Sequence, residues 1–250
     1  MWQPLHGLLL VDKPAGISSA GVVGKIKWQF KQLGAPKNVK IGHGGTLDPF
    51  ATGLLPIGVG HGTKALEALL KGDKGYQFTL QFGTATTTQD LLGEITATNR
   101  VVPIFEQIEA VIPRFTGPQW QTPPAFSALK VGGKRAYALA RAGEAVHLEP
   151  RQIEVYKLKL LSFQHNQAQF EAIVSKGTYI RTLGANLAEA LGTLGHLTAL
   201  RRTQHGAFAL NQAIGLPQLL EMLDSSLKNS QTPPCLLPLP APAGETPGQI

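Results

Sequence analysis

The segment Gly42-His43-Gly44-Gly45-Thr46-Leu47-Asp48-Pro49 presents one carboxylate, Asp48, in a stretch that cannot be regular helix. Three glycines precede it and a proline follows. Glycine reaches backbone angles that other residues avoid, and the residue before proline is pushed out of the α region. Asp48 is therefore expected on a tight turn, flanked by apolar residues and not by other acids. Such an Asp has two readings. It can bond its own turn through its side chain, or it can be a reactive group.

Two nearby features invite other chemistry and do not support it. Gly58-Val59-Gly60-His61-Gly62-Thr63-Lys64-Ala65 has the look of a nucleotide phosphate loop. Yet Thr63 separates the last glycine from Lys64, and Ala65 stands where a Ser or Thr would meet magnesium. His43 and His61 lie in no recognised metal-ligand spacing.

The elements that must position Asp48 are legible in outline. Gly7 to Val11 reads as a short buried strand, followed by a turn over residues 12–16. Ser18 or Ser19 can cap a helix whose apolar stripe is Val22, Ile26, Phe30 and Leu33. A basic loop, residues 34–40, leads into the Asp48 segment. Leu54 to Val59 reads as a strand that Pro56 confines to an edge or a bulge. Residues 63–70 predict a short helix with Leu66, Leu69 and Leu70 inward. Tyr76, Phe78, Leu80 and Phe82 alternate, the pattern of a half-buried strand. Residues 103–115 predict a helix with Phe105, Ile108, Val111 and Ile112 on one face. Residues 126–131 predict a strand and 135–141 a helix. Residues 153–163 and 170–175 predict a hairpin around His165-Asn166-Gln167. Residues 179–191 and 216–223 predict two more helices. Strands with interspersed helices and hairpin-length connections imply an α+β fold with a mixed, mostly antiparallel sheet. Six prolines between Pro233 and Pro247 leave residues 230–250 as a docked extended tail or disordered.

Composition narrows the function classes. The chain has 250 residues, enough for one substantial core, and is 43% hydrophobic but only 7% aromatic. Its 23 Lys and Arg against 16 Asp and Glu give a net charge of +7, which favours a polyanionic partner. Lys13, Lys25, Lys27, Lys31, Lys37 and Lys40 face a single acid, Asp12, within residues 1–47. Lys130, Lys134, Arg135 and Arg141 form a second basic region. Two such segments flanking a candidate site suit an RNA cradle. The lone cysteine, Cys235, excludes a disulfide framework within the chain and a Cys-rich zinc site, and fits a reducing compartment. Without a leader-like N-terminus or a long apolar run, a cytoplasmic protein is expected.

The residues Gly42 to Gly60 resemble the catalytic motif of the TruB family of bacterial tRNA pseudouridine synthases, G-H-x-G-x-L-D-P-x-A-x-G-x-L-P. The likeness continues in order through Gly7 to Ser19, Gly75-Tyr76-Gln77-Phe78, Gly83 to Gly93, Gln121 to Lys130, Ser175 to Leu183, and Leu197 to Arg202. It covers residues 5–210. The resemblance implies the pseudouridine synthase fold, a central sheet with surrounding helices and an RNA-binding cleft. It implies a catalytic domain over 1–225 and a Pro-rich tail over 226–250, since a complete PUA domain does not fit after Phe208.

What the resemblance implies for chemistry is specific. Uridine 55 in the T loop of tRNA is flipped out and isomerised to pseudouridine, with no metal or organic cofactor. The partner is the T arm of tRNA; no membrane or obligatory protein partner is implied, and a monomer is expected. Asp48 is the catalytic residue. It either attacks the sugar carbon or removes the neighbouring sugar proton to form a glycal, and both routes stay open. Burial favours a neutral carboxyl, and a guanidinium restores the ionised form, so an Asp48–Arg181 pair is expected. Tyr76 faces the target base and is a candidate base for the carbon 5 proton. His43 lies beside the flipped nucleotide, and Tyr179 and Leu200 line the uridine pocket. Lys64 and Lys13 contact phosphates or brace the cleft. The rival readings are a non-catalytic RNA-binding or RNA-folding module that has kept the fold, and a guide-dependent synthase acting on another RNA.

Overall fold

The apolar run after His6 is a buried strand, β1 (Gly7–Lys13), in the computed structural model, which describes residues 5–229 and 231–238. There follow α1 (Ser19–Gln32), β2 (Ile41–His43), β3 (Thr52–Val59), α2 (Gly62–Lys71) and β4 (Lys74–Phe82). A small hairpin, β5 (Thr84–Thr86) with β6 (Ile95–Thr98), precedes α3 (Phe105–Val111) and β7 (Gly117–Gln121). A second hairpin, β8 (Lys130–Val131) with β9 (Lys134–Arg135), opens α4 (Ala136–Arg141). The remainder is β10 (Arg151–Gln164), β11 (Gln167–Val174), α5 (Ile180–Ala190), β12 (Gly195–His205), β13 (Phe208–Ala209), β14 (Ile214–Gly215), α6 (Leu216–Lys228) and β15 (Leu236–Leu237). The chain is α+β, as its pattern implied, with parallel and antiparallel pairings mixed.

The backbone gathers into two units. One holds residues 5–49, 54–70 and the described part of 211–238; the other holds 50–53 and 71–210. In the first unit β1 is the central strand. β3 lies on one side, and β14 and β15 share the other. Leu236 and Leu237 pair antiparallel with Leu9 and Leu8, so part of the Pro-rich tail is docked. Residue 230 and residues 239–250 of that expected tail lie outside the described residues. Ser18 caps α1, its hydroxyl accepting from the Gly21 N–H at 3.0 Å. The helix buries Val22, Val23, Ile26 and Phe30, each worth about 1.5–3 kcal/mol relative to exposure.

Pro56 sits inside β3, not at an edge. Gly44 N–H donates to the Pro56 carbonyl at 2.8 Å, but proline has no N–H to return. The β2–β3 ladder therefore ends at the His43–Ile57 pair. The chain is released there into the irregular segment that carries Asp48.

The second unit is built on the antiparallel order β12–β4–β11–β10–β7, with α5 packed on β12 and β4. Thr52 and Gly53 lie parallel to Arg201 and Arg202 of β12. Gly53 has φ +104°, and a Cβ there would fall 2.3 Å from the Arg202 carbonyl oxygen, so only glycine fits.

Several local expectations are corrected. Leu70 is exposed, at 45%, not inward. The helix expected over 103–115 stops at Val111 and continues as a 3-10 turn, Ile112–Phe115, because Pro113 lacks a donor and crowds the preceding turn. Residues 126–129 are loop, and only Lys130–Val131 form strand. The last helix runs on to Lys228. β2, β5, β6, β7, β9, β12, β13, β14 and β15 were not anticipated as strands.

Candidate active site

Asp48 is half-buried and its two neighbours are pinned. Ser19, 1% exposed at the start of α1, holds Leu47 by both backbone groups. Its Oγ accepts from Leu47 N–H at 2.8 Å and donates to Leu47 O at 3.0 Å. On the other side, Pro49 O accepts from Gly16 N–H at 2.8 Å and from Lys13 Nζ at 3.3 Å. Gly45 has φ +109°, the left-handed turn that the glycine run permits. Gly44 is buried where a Cβ would lie 3.1 Å from Leu66 Cδ2 of α2. The carboxylate thus stands on a backbone fixed from α1, β1 and the turn after β1.

The other predicted residues of this unit differ in character. His43 ends β2, half-buried and opposite Ile57. Lys64 is exposed in the first turn of α2, with its N–H on His61 O. Lys13 is fully buried and donates also to Pro14 O at 2.9 Å and Ile17 O at 2.7 Å.

In the second unit, register places a set of predicted side chains on one sheet face. Phe78 pairs with Leu200 and Phe170, Tyr76 with Arg202 and Ala172, and Lys74 with His205 and Val174. Tyr76 is 8% exposed, Leu200 6% and Arg202 1%. Burial, Arg202 and Lys176 together push the Lys74 ammonium down from its usual 10.5 to about 8, against the opposing pull of Asp73. Arg202 thus lies opposite Tyr76, with Lys74 two residues before it on the same strand.

Arg181 and Tyr179 come from the start of α5. Tyr179 is its N-cap residue, with an extended backbone and no capping side chain of its own. The carboxamide of buried Gln121 supplies what is missing: Oε1 accepts from Tyr179 N–H at 2.8 Å, and Nε2 donates to Tyr179 O at 3.0 Å. Arg181 is 3% exposed and splays across two loops. It donates to Thr88 O at 2.6 Å and Phe126 O at 2.8 Å, and its Nε lies 3.7 Å from Asp90 Oδ2. The other carboxylate oxygen of Asp90 accepts from Thr88 Oγ1 at 2.6 Å and Leu92 N–H at 2.9 Å. A buried guanidinium is so held rigid, with an acid beside it to offset its desolvation.

Three supporting residues escaped sequence reasoning. Ser19 was legible only as a helix cap, and Gln121 and Asp90 only as members of motif segments. Each acts on backbone or charge far along the chain, which no local pattern signals. Among the described residues no group of three or more His, Cys, Asp or Glu could hold a metal ion, and no helix is long and apolar enough to cross a membrane.

Comparison with known proteins places this arrangement. A model described as the TruB family pseudouridylate synthase N-terminal domain matches residues 31–180. One described as the tRNA pseudouridylate synthase B C-terminal domain matches residues 181–241. The tRNA pseudouridine synthase B of Zymomonas mobilis subsp. mobilis is 46% identical over 218 residues, covering 87% of this chain and 72% of its own. That of Chromobacterium violaceum is 47% identical over 220 residues, 88% of this chain and 70% of its own. Among solved structures, a chain of a Cbf5–Nop10–Gar1 complex superposes with a TM-score of 0.68 at 30% identity, over 90% of this chain and 57% of the other. A chain of an H/ACA RNP bound to a substrate RNA containing 2'-deoxyuridine gives a TM-score of 0.66 at 26% identity, over 90% of this chain and 56% of the other.

Proposed function

The chain belongs to the TruB family of pseudouridylate synthases, and we propose that it isomerises uridine 55 in the T loop of tRNA, with Asp48 as the catalytic group. The observation that carries this reading is the Asp48 segment itself, pinned at Leu47 and Pro49 from three directions. A turn-forming Asp needs no such bracing of its neighbours; a group that must meet one sugar carbon does.

The reaction is an isomerisation, so nothing is consumed or released. The bond from the sugar carbon to base nitrogen breaks, and one to carbon 5 forms. The carbon 5 proton leaves to a base, and the freed nitrogen gains one. Asp48 assists the first step, as nucleophile at the sugar carbon or as base towards its neighbouring proton. Arg181, already rigid, is the cation expected to keep Asp48 ionised beside RNA. Tyr76 stacks on the flipped base and takes the carbon 5 proton. His43 fills the space beside the extruded nucleotide, Tyr179 and Leu200 line its pocket, and Lys64 meets phosphate. Extrusion costs a few kcal/mol, offset by base and phosphate contacts. The enzyme acts as a cytoplasmic monomer on the T arm.

The test is pseudouridine formation in unmodified tRNA transcripts, wild type against Asp48→Ala, with tRNA binding followed in parallel. Product at the T-loop uridine that vanishes in the variant while binding persists is the expected result. Binding without product in either protein would point to the RNA-binding module instead. A Tyr76→Phe variant with unchanged turnover would remove the proton-acceptor role.

A further inference from the structure

Helix α1 carries an exposed aromatic where a soluble helix normally shows polar residues. Trp28 is 61% exposed. The buried stripe of Val22, Val23, Ile26 and Phe30 turns the opposite face outward, and β2 and α6 pack against the helix elsewhere. That outer face reads Gly24, Lys25, Trp28, Lys31 and Gln32, all exposed, at the three- and four-residue spacings of helix neighbours. A helical side chain leans over the turn before its own. For Trp28 that turn holds Gly24, and a Cβ there would meet nothing within 4 Å. One side of the indole is therefore left clear.

The charge along α1 itself is of one sign. Lys25, Lys27 and Lys31 are exposed, α1 contains no acid, and Lys37 and Lys40 follow in the next loop. The α6 carboxylate nearest to this helix in the bonding network, Asp224, is engaged by Gln29 Nε2 at 3.0 Å and Lys228 Nζ at 2.5 Å. Among the described residues no ion pair neutralises Lys25, Lys27 or Lys31.

We propose that the outer face of α1 is a second RNA-contacting surface, on which Trp28 stacks an unpaired base of the tRNA while Lys25 and Lys31 grip the phosphates on either side. An open π-face set between cations is the arrangement that holds single-stranded nucleic acid without reading its sequence. A protein partner would leave the lysine row without a counter-charge unless it were itself acidic, whereas a polyanion meets ring and charges together. The proposal rests on the tRNA-modifying reading above and extends it to a surface that the motif resemblance does not assign.

The experiment uses the whole chain with an unmodified tRNA transcript. Wild type, Trp28→Ala, Trp28→Phe and the double variant Lys25→Gln/Lys31→Gln are compared in pseudouridine kinetics, salt-dependent binding and tryptophan fluorescence. Trp28→Ala should raise KM and the tRNA Kd about fivefold or more with kcat unchanged, and Trp28→Phe should recover most of it. The double lysine variant should flatten the slope of log Kd against log salt by about 1.5. Wild-type fluorescence should be quenched by tRNA, and Trp28→Phe should lose that part of the quench. Product formed with KM, salt slope and quench all unchanged in the variants overturns the surface and leaves the activity standing. Unchanged RNA binding with an altered oligomeric state overturns it in favour of a protein contact. No product from wild type overturns the activity reading first.

Discussion

The hydroxyl of Ser19 closes a two-bond clasp on the backbone of Leu47, accepting from its N–H at 2.8 Å and donating to its carbonyl at 3.0 Å. Leu47 directly precedes Asp48. Ser19→Ala leaves a buried donor and acceptor unpaired, at a cost of about 2–4 kcal/mol. It should also lower kcat by up to about 10²-fold, since small misplacements of a reacting group are costly. Urea unfolding and single-turnover kinetics read the two effects, and tRNA affinity should stay near wild type.

Asp90 and Arg181 form a buried ion pair with the guanidinium also committed to two carbonyls. Removing one partner strands the other charge. Asp90→Ala should cost about 3–5 kcal/mol of stability. Asp90→Asn keeps an acceptor for Thr88 and Leu92 and should cost less, while still lowering kcat. Arg181→Lys retains a charge but loses the fork that spans Thr88 and Phe126, so it should not restore turnover. Thermal denaturation beside steady-state kinetics separates these outcomes.

Gln121 holds Tyr179 from 58 residues away, by the same two-bond logic. Gln121→Leu should reduce kcat by about 10²-fold. Gln121→Glu keeps the acceptor for Tyr179 N–H but sets a carboxylate against its carbonyl, and should fare no better. A Gln121→Leu protein with wild-type kcat would show that Tyr179 needs no clasp.

Lys74 predicts a pH dependence of stability. Its folded value of about 8 lies below the usual 10.5, so between these pH values the unfolded chain binds more protons than the native one. Stability should therefore rise as pH increases from about 8 to 10.5, as the cost of burying the charged ammonium is relieved. Below pH 8 that cost is present in full. Lys74→Met should abolish this part of the slope and stabilise the protein at pH 7. Denaturant unfolding across pH 7–10.5 measures it.

Much of the frame was open to a reading of local pattern. Tyr76 to Phe82 alternates because a half-buried strand repeats every two residues, and α1 shows its stripe because a helix repeats near every 3.6. The failures were local signals overruled by neighbours. Pro56 forbids only the one bond it cannot return, so it ends a ladder and not a strand. β12 escaped a reading of local pattern, and its Arg202 is 1% exposed.

The sequence by itself determined which residues are candidates for the chemistry: the lone Asp48 on a Gly-rich, Pro-bounded turn, and the ordered segments that carry Tyr76, Tyr179 and Arg181. Residue types and short spacings are written along the chain, and backbone preferences act within a few residues. Only the tertiary structure decided what fixes those groups. Ser19 reaches Leu47 across 28 positions, and Arg181 reaches Thr88 across 93. Such bonds depend on where folding brings the ends of long loops, and no local propensity encodes that distance.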